Sequence, residues 1–158
     1  MTKLFLNKRA SKILDKLTEG LTELGQARKI DTRKEGSAIM GVNVDFNNTY
    51  GDKPVFAISH TYIQNGDVMF DPEIQFMKVH NTHEHFWMPI SFRQDGILMQ
   101  EGFYLVLDKD DPDKITGYYN SQIVDAAKFA NTWMINISEQ QKEFFNPKKE
   151  DNQHGMEL

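Results

Sequence analysis

The chain of 158 residues contains no cysteine. Disulfides and thiolate metal sites are therefore both excluded, and any metal would need imidazole, carboxylate, amide or backbone oxygen. It also lacks any apolar run approaching the roughly 18 residues of a membrane-spanning helix. Near the start, only Leu4, Phe5 and Leu6 are consecutively apolar before charge returns at Lys8 and Arg9. No secretory leader is expected, and no membrane partner; the expected setting is cytoplasmic. There is no glycine-rich phosphate loop and no alternation of strand and helix patterns, which removes nucleotide-binding readings built on either. Nor do cations prevail: 18 Lys and Arg face 23 Asp and Glu, a net charge of −5. That sign argues against nucleic-acid binding, whose footprint is basic. The clusters Lys3, Lys8, Arg9, Lys12 and Arg28, Lys29, Arg33, Lys34 read as decoration of a solvated helix and loop.

The length suits one domain with a real core. Eleven Phe, five Tyr and two Trp supply bulky packing material. From Asn7 to Leu24 the residues Ile13, Leu14, Leu17, Leu21 and Leu24 recur at helical spacing, with charges opposite. Gln26 to Ser37 is charged and aperiodic and reads as a connection. The period then falls to two. Met40, Val42, Val44 and Phe46 alternate with polar residues, and further strands are expected at Val55–Gln64, Val68–Val79, Phe86–Phe92 and Ile97–Leu107. Pro72 and Pro89 should mark an edge, bulge or strand end, because proline cannot donate to a ladder. A last helix starts at Asn120 or Ser121 and buries Ile123, Ala126, Ala127, Ala130, Met134 and Ile137. The expected architecture is α+β: an N-terminal helix, a five-stranded antiparallel meander, and a C-terminal helix packed on one face. One domain spans 1–138, and 139–158 reads as a polar, disordered tail.

The densest polar chemistry surrounds one turn. Asn65-Gly66 is a hairpin loop in which both residues accept positive φ. Tyr62, Gln64, Asn65 and Asp67 crowd that tip and are the expected binding residues. By strand parity Asp67, Asp71 and Glu73 share one face, as a divalent-cation site in a hydrolase would require. His60 is then the candidate base or ligand; the competing reading makes it a buried, hydrogen-bonded core histidine beside Phe56 and Ile58. The bland reading of the three carboxylates is a solvated face with turn-stabilising aspartates. His80, His83 and His85 form a second candidate metal set, with awkward spacing for either helix or strand. Asp108 to Asp113 is acidic but departs from calcium-loop spacing. A second turn, Gln94-Asp95-Gly96, repeats the first thirty positions later.

The run from Ile58 to Phe76, with Gln64-Asn65-Gly66-Asp67 followed by Asp71-Pro72-Glu73 and an aromatic, resembles a pattern in small uncharacterised proteins carried by bacterial conjugative elements, plasmids and phages. The resemblance implies a mobile-element setting, among accessory proteins that interfere with host defence or regulate transfer, and no particular activity. The expected function is a non-enzymatic protein-binding module, monomeric or homodimeric, with a metal-dependent hydrolase or nuclease using Asp67, Asp71 and Glu73 as the alternative.

Overall fold

The computed structural model describes residues 2–32, 40–97 and 99–147. Its first helix, α1, spans Lys8–Thr18, with the Asn7 side chain accepting from the Ala10 N–H at 2.9 Å as N-cap. It stops a turn and a half before the expected end. Gly20 has φ of +84°, and Arg28 donates to the carbonyls of Leu17 and Glu19, so a side chain from the next element satisfies the last turn. Leu24 consequently points to solvent rather than extending the stripe.

Six antiparallel strands follow in simple sequential order: β1 Ala27–Ile30, β2 Val42–Tyr50, β3 Lys53–Gln64, β4 Asp67–His80, β5 His85–Gln94 and β6 Gln100–Phe103. A separate hairpin, β7 Leu105–Leu107 with β8 Ile115–Tyr118, precedes α2 Asn120–Gln140 and the short α3 Lys142–Phe145. The α+β class holds, with helices at both ends of an antiparallel sheet, but six strands plus two replace the expected five. β1 arises within the stretch read as a connection, because Ile30 buries one side chain against the core while the remaining positions stay wet. The long last strand divides at Tyr104, which leaves β6 in one sheet and β7 in the other.

Val44, Phe46, Phe56, Ile58, Ile74 and Phe76 of β2 to β4 face α1 and α2 and meet Leu14, Leu17, Ala130, Met134 and Ile137 in the main core. A second cluster lies under the β7–β8 hairpin, where Val55, Met77, Met88 and Ile90 meet Leu105, Leu107 and Ile115. That hairpin covers only part of the second sheet face.

Both prolines mark irregular pairing. Ile90 is the extra residue beside Pro89, since Gln75 pairs with Ser91 but Phe76 with Pro89. Thr61 pairs with Phe70 and Ser59 with Glu73, leaving Asp71 and Pro72, joined by a cis bond, opposite His60 alone. The domain boundary expected at 138 falls inside α2, and helix continues to Phe145, with Phe144 and Phe145 packed on the core. Residues 148–158 of the expected tail lie outside those described.

Candidate functional site

The β3–β4 turn and the β5–β6 connection lie at the same end of the sheet. Asn65 and Gly66 have φ of +52° and +84°, as a tight antiparallel turn of this hand demands. Gly96 has φ of +103°, and a Cβ there would lie 3.3 Å from the Tyr62 hydroxyl, so both conformation and space call for glycine.

Asp95 locks the two tips together. Its N–H donates to the Phe70 carbonyl at 2.9 Å, and its carboxylate accepts from the Phe70 N–H at 2.9 Å and from Arg93 Nε at 3.0 Å. The Phe70 N–H and then the Arg93 guanidinium hold the Asp95 carboxyl below the ordinary carboxylate range. The Arg93 guanidinium also stacks 4.5 Å above the Phe70 ring, and Gln94 donates from Nε2 to Asp71. The repeated turn in the sequence thus builds one rigid corner from two neighbouring tips.

That corner exposes aliphatic surface. Ile97 is fully exposed, Met99 is 71% exposed, Ile63 68% and Val68 54%. Between the tips runs a groove of about 1120 Å³, lined by Tyr62, Gln64, Asp67, Met69, Asp71, Ile97 and Met99 among others. Carboxylates, amides and the Arg93 guanidinium rim an apolar floor. Exposed aliphatics gathered in this way are characteristic of contact surfaces.

The residues proposed for catalysis do not converge. Asp67 and Asp71 line this groove, whereas Glu73 lies on the opposite face beside its cross-strand partners Ser59 and Arg93. The extra residue at Asp71-Pro72 switches which side each later residue of β4 faces, and simple parity ignores that switch. His60 is buried beneath α2, with its Nδ1 donating to the Gly41 carbonyl at 2.9 Å and its ring edge-on to Trp133 at 5.5 Å. This is the core-histidine reading. Of the expected binding residues, Tyr62, Gln64 and Asp67 line the groove and Asn65 occupies the turn.

Sequence reasoning missed a polar ladder on the open face. Asn43, Ser59, Glu73, Arg93 and Glu101 stand in direct register across β2 to β6. One row along, Gln75 and Ser91 bond reciprocally, the Gln75 N–H to Oγ at 3.3 Å and Oγ–H to the Gln75 side-chain oxygen at 3.1 Å. Burial raises the Asp45 carboxyl, and burial first of all raises Glu73, opposed by Arg93 and assisted by Asp45 and Asp95. Alternating polar residues in every strand were the available signal; the register that aligned them was not visible.

The raised Glu73 carboxyl makes a signed prediction. The folded state holds this proton more tightly than the unfolded chain, so ionised Glu73 subtracts stability at neutral pH and the loss is recovered as pH falls through the raised value. Glu73→Gln should therefore stabilise the protein at neutral pH by about 0.5 kcal/mol, discounted for solvent screening. Thermal melts across the acid range should show the difference shrinking as pH falls. A Gln variant less stable at every pH would mean that the attraction to Arg93 outweighs the burial.

Of the three histidines, the His85 side chain has a tertiary partner, and His83 sits in the β4–β5 turn. His85 Nε2 sits 2.6 Å from Asp15 Oδ1, tying β5 to α1, and its ring lies 6.1 Å from that of His80. The His83 N–H donates to Asn81 Oδ1 in the turn. Among the described residues, no three His, Asp or Glu side chains are arranged to hold a metal ion. Asp108 and Asp111 accept from backbone N–H groups within their own loop, the role of turn-forming aspartates.

Residues 8–143 match the model of a family described as a domain of unknown function, DUF6908. The chain belongs to this family. The DUF6908 region runs from the first residue of α1 into α3, so it contains the whole six-stranded sheet, both long helices and the paired tips. Neither a curated protein nor a solved structure matches the chain. No helix among the described residues is long and apolar enough to cross a membrane.

Proposed function

We propose that this protein is a non-enzymatic binding module that docks a protein partner on the paired hairpin tips. The carrying observation is the exposure of Ile63, Val68, Ile97 and Met99 on a corner held rigid by Asp95, Arg93 and Gln94. A rigid apolar platform loses little entropy on binding, so more of the contact energy appears as affinity. Asp67 and Asp71 beside it, together with the net charge of −5, favour a partner presenting an apolar anchor flanked by Lys or Arg. The resemblance of the hairpin motif to proteins of conjugative elements, plasmids and phages supports a cytoplasmic accessory role on a mobile element, in countering host defence or regulating transfer. The alternative of a hydrolase on Asp67, Asp71 and Glu73 has no shared face to work from.

The test is affinity capture from a cell carrying such an element, with Val68→Asp plus Ile97→Asp alongside the unaltered chain. Each substitution sits at an exposed tip, so the melting temperature should stay within about 2 °C, the scale of a surface change of 0.5 kcal/mol or less. A partner captured by the unaltered protein should be depleted about tenfold or more by the paired variant, equivalent to losing at least one buried anchor. Capture indifferent to the substitutions would sink the assignment of this surface.

A further inference from the structure

A second concavity lies at the other end of β4 and β5, the strands' full length away from the hairpin tips. Here the N-terminal segment, the β4–β5 turn and the middle of α2 enclose a groove of about 840 Å³. Phe5, Val79, Phe86 and Val124 are half-buried along it, and the rings of Phe5 and Phe86 meet at 5.3 Å. The Asn7 N–H donates to Asn131 Oδ1 at 2.9 Å, joining the N-terminal segment to α2.

The rim has one sign. Lys3, Lys8 and Lys128 border the apolar floor, and among the described residues no Asp or Glu lines it. This departs from the rest of the chain, in which carboxylates outnumber cations by 23 to 18. Lys8 opens α1, whose first turn carries no acidic residue, while Asp15 and Glu84 line a neighbouring concavity that Lys8 also borders. An apolar floor with a cationic border matches a molecule with an apolar body and an anionic head. The volume falls within the range of small-molecule pockets and suits a single acyl chain.

We propose that this groove binds a single-chain fatty carboxylate. The chain lies along Phe5, Val79, Phe86 and Val124, and the carboxylate meets the lysine rim. Affinity then depends on both parts, rising with each methylene buried and falling when the head loses its charge.

The test uses the full chain, with calorimetric titration of dodecanoate below its micelle concentration and amide NMR shifts as the map. One dodecanoate should bind per chain, saturably, with shifts centred on Val79, Phe86 and Val124. Octanoate should bind about tenfold or more weakly, because it buries fewer methylenes. Dodecanol should also bind about tenfold more weakly, having lost the charge-assisted contacts. The variant combining Lys3→Glu, Lys8→Glu and Lys128→Glu alters exposed side chains only and should show the same loss for dodecanoate while keeping its affinity for dodecanol. Val124→Asp should abolish binding of both, with a melt recorded to show that the variant is folded. No saturable binding, equal affinity for dodecanol, or shifts elsewhere would overturn the proposal. So would an acidic amphipathic peptide that occupies the groove when dodecanoate does not, or concentration-dependent self-association that moves the same amides.

Discussion

Trp87→Ala should lower the stability of this protein by about 3–5 kcal/mol, the range for truncating a fully buried aromatic. Trp87 has no exposed surface and packs edge-on to Phe56 with ring centroids 5.7 Å apart. Its indole N–H donates to Asp15 Oδ1 at 2.8 Å, the same oxygen that His85 approaches at 2.6 Å. The ammonium of Lys78 lies 5.6 Å from its ring centroid. One side chain therefore fills the core between sheet and helices and anchors α1 to β5. Alanine removes both contributions and leaves a cavity that rigid β strands cannot collapse into. A domain of this size has only about 5–15 kcal/mol of stability, so the variant loses a large share of it. Urea denaturation is the measurement: the midpoint should fall while the slope stays unchanged. Trp87→Phe separates the two effects, since it keeps most of the packing and forfeits the hydrogen bond. A midpoint shift equivalent to less than about 1 kcal/mol for alanine would contradict the assignment of Trp87 to the core.

Gln141→Leu should cost about 2–4 kcal/mol, although the substitution adds apolar character to a buried site. Gln141 has no exposed surface. Its side-chain oxygen accepts from both the N–H and the hydroxyl of Thr32 at 2.8 Å, and its Nε2 donates to the Met40 carbonyl at 3.2 Å. Thr32 and Met40 flank residues 33–39, so this one amide joins the two ends of that segment to the end of α2. Leucine strips partners from two donors and an acceptor at once, and unmet polar groups cost more than the gained contact returns. Gln141→Glu makes the mechanism testable by pH. Glutamate can still accept from Thr32, but it brings a buried charge against the Met40 carbonyl, which raises its folded-state pKa. Its deficit should be largest at neutral pH and shrink as pH falls through that raised value, because the folded state then takes up the proton. A Leu variant as stable as the parent, or a Glu variant whose deficit ignores pH, would show that the clamp contributes nothing.

Gln141 lies within the stretch that composition marks as a disordered tail, and the reason is instructive. Its neighbours Glu139, Gln140, Lys142 and Glu143 are polar, and a window average cannot register one amide whose partners lie about a hundred residues away. Phe144 and Phe145 were the legible hint. Similarly, Arg28 read as one member of a basic cluster, yet it satisfies the end of α1. Its role depends on where β1 runs.

What the sequence determined by itself is local. The helical stripe of α1, the alternation in β2 to β5, the Asn65-Gly66 and Asp95-Gly96 turns and the proline irregularities all arise from near neighbours and from fixed backbone preferences. These were enough for the α+β class and for placing Tyr62, Gln64 and Asp67 at one tip. Tertiary structure alone decided which residues meet. The bulge at Asp71-Pro72 set Glu73 on the other face from Asp71, the register aligned Glu73 with Arg93 and Ser59, and docking of α2 buried His60 against Trp133. Pairing across a sheet is a contest among long-range contacts, in which one extra residue reverses every side chain beyond it. No pattern within a single strand carries that information.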